Sequence, residues 1–241
     1  MKPRVANAIA TIGVLAYAAV APRLGRSRAA FTASAASVVA LGAARVAGVS
    51  RADLGLDPSS ARRGAAVGVA VAAPIAVAVV AASRHPTTRA LFADARVVEL
   101  TGREAAYELF VRIPMVTAVT EEVLFRSVLL GIGSEWLGAR RAAVWTSLVF
   151  GVWHVVPALH SHRHNSAAAG AVDGVGGRTA LVVGTVVATA VAGLGLGALR
   201  LRTKSVVAPI VVHAVINGVA FVVARATARR ACVSRWSVPS R

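Results

Sequence analysis

The sequence predicts an all-α protein, a multi-pass transmembrane helix bundle of about seven spans. Two observations carry this. Hydrophobic residues fill 56% of the 241 positions and charged residues only 15%, whereas a soluble domain carries about 25% charged residues. The apolar residues, chiefly Ala, Val and Leu, also come in long runs rather than short alternating stretches, as helices that cross hydrocarbon do.

The net charge of +17 would by itself suggest a nucleic-acid partner. The positions of the arginines exclude it. They stand where apolar runs stop: Arg23, Arg26 and Arg28; Arg62 and Arg63; Arg140 and Arg141; Arg200, Arg202 and Lys204; Arg229 and Arg230. Basic residues flanking hydrophobic segments mark helix ends at lipid headgroups. No stretch interleaves basic and aromatic residues as a nucleic-acid surface does. The single cysteine, Cys232, lies in the basic tail, so one chain offers neither a disulfide nor a Cys-based metal site. Lys2 and Lys204 are the only lysines. That preference for Arg fits a GC-rich bacterial genome, and with it a bacterial plasma membrane.

The spans read in order as follows. The first covers residues 5–22, a transmembrane helix rather than a signal peptide because many spans follow it. The second covers 29–49. Asp57-Pro58-Ser59-Ser60 is a helix start with Pro in the first turn, and the third span follows at 64–83. Its Gly64-x-x-x-Gly68 allows close helix contact. The loop 84–103 is long and charged, with room for a short interfacial helix. The fourth span, 104–131, is long for one crossing and is interrupted by Pro114. The fifth is 142–156, and the loop after it is rich in His, Gly and Ser. The sixth is 179–199, with a second small-residue pair, Gly193 and Gly197. The seventh is 205–224, and from Arg225 the tail reads as poorly ordered. Residues 1–103 therefore form an N-terminal helical part without a specific motif, 104–225 a transmembrane core that carries the motifs described below, and 226–241 a basic tail. The balance of basic residues leans toward a cytoplasmic C-terminus.

Against this apolar background a few polar side chains stand out. An ionisable group inside a span costs roughly 2.5–3.5 kcal/mol on insertion scales and usually faces the bundle interior. The fourth span holds Glu121, Glu122 and Arg126, the fifth His154, and the seventh His213 and Asn217. Glu122 and Arg126 are four apart, in the favourable order for an ion pair. Glu121 sits about 100° around the helix and is left without a local partner, free to act as a base. His213 and Asn217, also four apart, share a face. At about 1.5 Å per residue, Glu121 lies roughly 15 Å, His154 roughly 18 Å, His213 about 12–14 Å and Asn217 about 18–20 Å below one membrane face. In a hydrocarbon core about 30 Å thick, these depths place the four near mid-membrane. Such residues also glue helices together, but four at one depth read as a site. Glu with His activates water, and Asn or His donates to an oxyanion. Glu with two His also makes a zinc set with water in the open position. No His-Glu-x-x-His helix or Gly-x-Ser-x-Gly elbow is present.

Glu121-Glu122-x-x-x-Arg126, Phe150-x-x-x-His154 and His213-x-x-x-Asn217 resemble, in this order, the motifs of the CAAX protease and bacteriocin-processing (CPBP, or Abi) family of intramembrane proteases. The run 120–126 looks like its first motif, and 201–213 like the approach to its third. The resemblance covers about 115–220. Ser127 departs from the Gly that often follows the Arg. The resemblance implies peptide-bond hydrolysis within the membrane, on membrane-associated or CAAX-like substrates. Glu121 and His154 would activate the water, and His213 and Asn217 would stabilise the oxyanion. Glu122, Arg126 and Phe150 would support them. Eukaryotic relatives trim the last three residues of prenylated CAAX proteins. Two cofactor readings stand side by side: one divalent metal such as zinc on Glu121, His154 and His213, or none. The implied partners are membrane lipid and a protein or peptide substrate, with no nucleic acid.

Two other functions compete. One is a non-proteolytic bacteriocin-immunity or scaffold member of the family, against which the intact motifs count. The other is a small proton-coupled transporter using Glu121 and the histidines as a relay, against which the lack of inverted repeats counts. His160, His162 and His164 read as a solvated loop, the Gly193–Gly197 run as helix packing, and Trp136, Trp145 and Trp153 as interface or core aromatics.

Overall fold

The computed structural model describes residues 2–23, 25–92, 94, 97–161 and 175–236. The described residues contain helices and turns and no strand. Helix α1 is Pro3–Val20, α2 Arg26–Val46 and α3 Pro58–Arg84. The fourth helix, α4, winds through 102–137, and α5 is Ala139–Trp153. A short α6, Val155–Ser161, follows, then α7, Val175–Thr203, and α8, Val207–Trp236. Six segments are long and apolar enough to cross a bilayer, α5 and α6 acting as one of them. The seventh is α4, which carries the carboxylates. This is an integral membrane bundle of about seven spans.

Local sequence sets the helix ends. Asp57 caps α3 by accepting from the Ser59 backbone N–H at 2.9 Å, with Pro58 in the first turn, where a missing N–H costs nothing. That bond, and a second from the Ser59 hydroxyl, hold the Asp57 carboxyl below its usual value. The cap therefore persists at neutral pH and is lost only as the pH falls through that lowered value. Thr101 and Glu104 form a reciprocal capping box that starts α4. Gly138, at φ +76°, makes the tight α4–α5 turn.

Four features differ from the sequence reading. Pro114 does not interrupt α4. The helix continues through it in wide, π-type turns over Glu108–Val119 and again over Val123–Leu129, which accommodate a residue without an N–H. The residues after Arg225 are not a poorly ordered tail as far as Trp236, because α8 runs on to that point. Arg200 does not face headgroups. It is only 4% exposed, and its Nη2 donates to the backbone carbonyls of Asp53 (2.6 Å) and Ala52 (3.3 Å). In the loop 84–103 the described residues include a 3₁₀ turn, Arg89–Phe92, rather than a longer interfacial helix, and Arg225 ties its far end by donating to Val97 O and Leu100 O. The side chains of His160, His162 and His164 and of Cys232 lie outside the described residues.

Helix α4 is the axis of the bundle and touches α1, α2, α5, α7 and α8. Its stretch from Glu122 to Gly133 is buried throughout. Around it, α8 packs on α3 and α7 on α5. Apolar area gives little drive for association inside lipid, so close backbone approach takes over. A Cβ on Gly68 would lie 2.8 Å from Ala208 O, and one on Gly64 2.6 Å from Ser205 Oγ. These two glycines seat α3 on the start of α8. Gly151 does the same for α5 on α7, where a Cβ would stand 2.7 Å from Val186 O.

Gly68→Val is expected to destabilise the protein by about 1–3 kcal/mol, the usual cost of overpacking. Gly195→Ala, whose Cβ would meet nothing within 4 Å, is expected to be neutral or stabilising. Thermal unfolding of the two variants in one detergent checks the contrast.

Candidate active site

Three helices bring the singled-out residues together. Glu121 and Glu122 lie on α4 between its two π-type stretches. Widened turns of this kind are frequent at functional sites. His213 stands in the second turn of α8. His154 sits at the break between α5 and α6. Pro157 explains that break: without an N–H it cannot bond the Trp153 carbonyl four residues back, and its ring crowds that residue. The helix therefore stops at His154, the His154 N–H turning to Gly151 O at 3.0 Å.

Glu122 is the centre of the arrangement. Its side chain is completely buried. Oε1 accepts from His213 Nδ1 at 2.7 Å and from Arg126 Nη1 at 3.3 Å, and Oε2 lies 3.3 Å from Arg126 Nε. The Glu122–Arg126 pairing expected from spacing is present. The sequence reading missed the bond from Glu122 to His213, 91 residues away, for which no local pattern exists. Arg126 is 1% exposed, and its guanidinium carbon lies 4.1 Å from the centre of the Phe150 ring, a cation–π contact. Phe150 also meets Phe125 edge-on at 4.9 Å and His154 at 4.5 Å. Gly193 on α7 closes the back: a Cβ there would stand 3.0 Å from Arg126 Nη2 and 3.1 Å from Phe150.

With Nδ1 held by Glu122, the other His213 nitrogen, Nε2, faces Glu121 Oε2 at 3.9 Å. Glu121 Oε2 is buried and has no hydrogen-bond partner among the described residues. His154 donates from Nδ1 to Phe150 O at 2.8 Å, and in the neutral form of a ring so held Nε2 is the acceptor. It lies within electrostatic range of Glu121. Asn217 is half-buried one turn beyond His213 and bonds no other described side chain. Trp153 is buried and packs on Tyr17 and Phe125. Trp136 and Trp145 are exposed.

The depth arithmetic needs one adjustment. Glu121 lies about four turns before the end of α4, yet it meets a residue in the second turn of α8. The α4–α5 turn therefore reaches further along the bundle axis than the turn between α7 and α8. The helix ends do not share a plane, although the polar side chains meet.

A zinc site needs three or four converging donors. Among the described residues, no group of three or more His, Cys, Asp or Glu side chains is gathered to hold a metal ion. Glu121, His154 and His213 as arranged do not fit a metal.

Glu122→Gln is expected to lower both stability and activity. It leaves Arg126 buried and unpaired, a loss of about 3–5 kcal/mol for a broken buried pair, and it frees the His213 ring. Unfolding and turnover measured on the same preparation check this; lost activity at full stability would give Glu122 a direct chemical role. Gly193→Val is expected to lower activity by displacing Arg126 and Phe150.

No curated protein and no solved structure matches the chain. A family model does: residues 104–219 match the one described as Rce1-like, type II CAAX prenyl endopeptidase. The match spans the helices that deliver Glu121, His154 and His213 and omits α1, α2 and α3. Over these residues, just under half of the chain, the protein is similar to the Rce1-like family of type II CAAX prenyl endopeptidases.

Proposed function

We propose that the protein is an intramembrane endopeptidase that cleaves membrane-associated or CAAX-like peptides, with a water activated by Glu121 and His154. The observation that carries this is the buried Glu121 Oε2, which accepts no hydrogen bond among the described residues and lies 3.9 Å from His213 Nε2, in a site whose other carboxylate is already committed to Arg126 and His213. The water donates one hydrogen to Glu121 and the other to His154 Nε2, which turns its lone pair toward the scissile carbonyl. As it attacks, Glu121 takes the proton and later passes it to the leaving amine. His213 Nε2 and the Asn217 amide donate to the oxyanion. The donation from Nε2 requires the doubly protonated His213 ring, since Nδ1 is already a donor to Glu122. Glu122, Arg126 and Phe150 hold that ring and the α4 backbone in place.

The test is cleavage of a membrane-peptide library, prenylated and unprenylated, by purified protein in vesicles. Glu121→Ala and His154→Ala are expected to lose about 10²–10⁴-fold in kcat/KM, and Asn217→Ala about 10²–10³-fold in kcat. Equal processing by wild type and all variants would sink proteolysis. A chelator is expected to leave turnover unchanged; inhibition reversed by added zinc would overturn the metal-free reading.

A further inference from the structure

A cavity lies between α1, α2 and α4. It measures about 300 Å³. Its walls are Ala, Val, Ile, Leu and Gly side chains with a single polar tip, Tyr17. One end is at Ala6, Ala47 and Ile132, near the start of α1 and the ends of α2 and α4. The other end is at Tyr17 and Leu124, and Leu124 is one turn from Glu121.

Three observations identify the occupant. From Ala6 to Tyr17 the cavity runs roughly 17 Å at 1.5 Å per residue, about half of a hydrocarbon core ~30 Å thick. That is the depth of one leaflet. The walls offer nothing to satisfy peptide N–H and C=O groups, and burying those unpaired is costly. Water would lack partners as well; a hydrocarbon chain needs none. At the Ala6–Ala47 end, Arg4 lies over the Trp136 ring, its guanidinium carbon 5.4 Å from the ring centre, and Arg45, exposed in the last turn of α2 between the lining residues Ala43 and Ala47, donates to Val49 O at 2.6 Å. The nearest acid, Asp53, accepts from Ser50, and Glu135 lines a separate polar cavity beside Arg200.

We propose that this cavity holds one acyl chain of an anionic phospholipid, its headgroup at Arg4 and Arg45 and its tail ending against Tyr17 and Leu124. The lipid fills a void that would otherwise forfeit dispersion contacts, and it locks α1 and α2, which lie outside the family match, onto α4. The proposal concerns binding and stands whether or not the chain cleaves peptides.

The experiment uses the full chain in phosphatidylcholine vesicles, with phosphatidylglycerol carrying a photoreactive group at mid-chain. Expected is labelling of Val14, Leu124 and Val128 above that of Val38 and Phe31, which are exposed and do not line the cavity. Gly13→Leu should abolish the labelling at those sites, since a Cβ at Gly13 meets nothing within 4 Å and its side chain can fill the cavity without a clash. Ala43→Leu, also in the lining, is the second variant should the first fail to fold. A phosphatidylcholine probe should label several-fold less, because each basic residue near the surface favours an anionic headgroup by roughly fivefold. The double variant Arg4→Gln/Arg45→Gln should bring the two probes toward parity. Unchanged labelling in both filled variants, equal labelling by the two probes in the wild type, or displacement of the label by a membrane or prenylated peptide would overturn the proposal.

Discussion

The Glu122 carboxylate, completely buried in the middle of α4, is the constraint on which the site depends. A charge taken out of water and lipid headgroups must be paired, and this one is paired twice. Arg126 answers it from the same helix and His213 from α8. The first contact is local and forms with the helix. The second can form only if α8 docks at one height and one rotation against α4. The polar network thus acts as a register mark in an interface where apolar side chains alone would tolerate sliding.

The surroundings serve that register. Phe150 lies under Arg126 and beside His154, so one ring links the supporting cation to a histidine of the site. Gly193 lets α7 approach close enough to hold both from behind. On the far side, the glycines of α3 bring α8 in by backbone contact rather than by side-chain volume. The Arg200 clamp on the Ala52 and Asp53 carbonyls, with Val206 N–H bonded to Gly55 O at 3.0 Å, ties the connection before α3 to the turn that starts α8. Helix packing, turn geometry and the ion pair therefore specify one arrangement between them.

Much of this was legible beforehand. The spans were legible because a bilayer demands long apolar helices, and length with hydropathy reports that demand directly. The candidate residues stood out because a polar side chain in such a helix is expensive and therefore conspicuous. Other features were not. Arg200 looked like one more flanking arginine, and only its burial against backbone carbonyls separates it from Arg202. The passage of α4 through Pro114 and the run of α8 to Trp236 depend on hydrogen-bond winding and on Arg225 gripping the 97–100 backbone, neither of which leaves a composition signal. The depth estimate put Glu121 and His213 at one level, and the two do meet, although the helix ends it assumed lie at different heights.

The sequence by itself determined the helical class, the membrane setting, the Glu122–Arg126 pairing and the list of side chains to watch, because each follows from local spacing or from the cost of polarity in lipid. Only the tertiary structure decided what the two glutamates face. Glu122 holds His213 as well as Arg126, Glu121 is left beside the free edge of that ring, and the three expected metal ligands do not gather into a metal-binding group. The physical reason is that these are contacts between helices far apart in the chain, set by how closely glycine-lined surfaces approach and by where Pro157 ends α5. A linear pattern of residues carries neither distance.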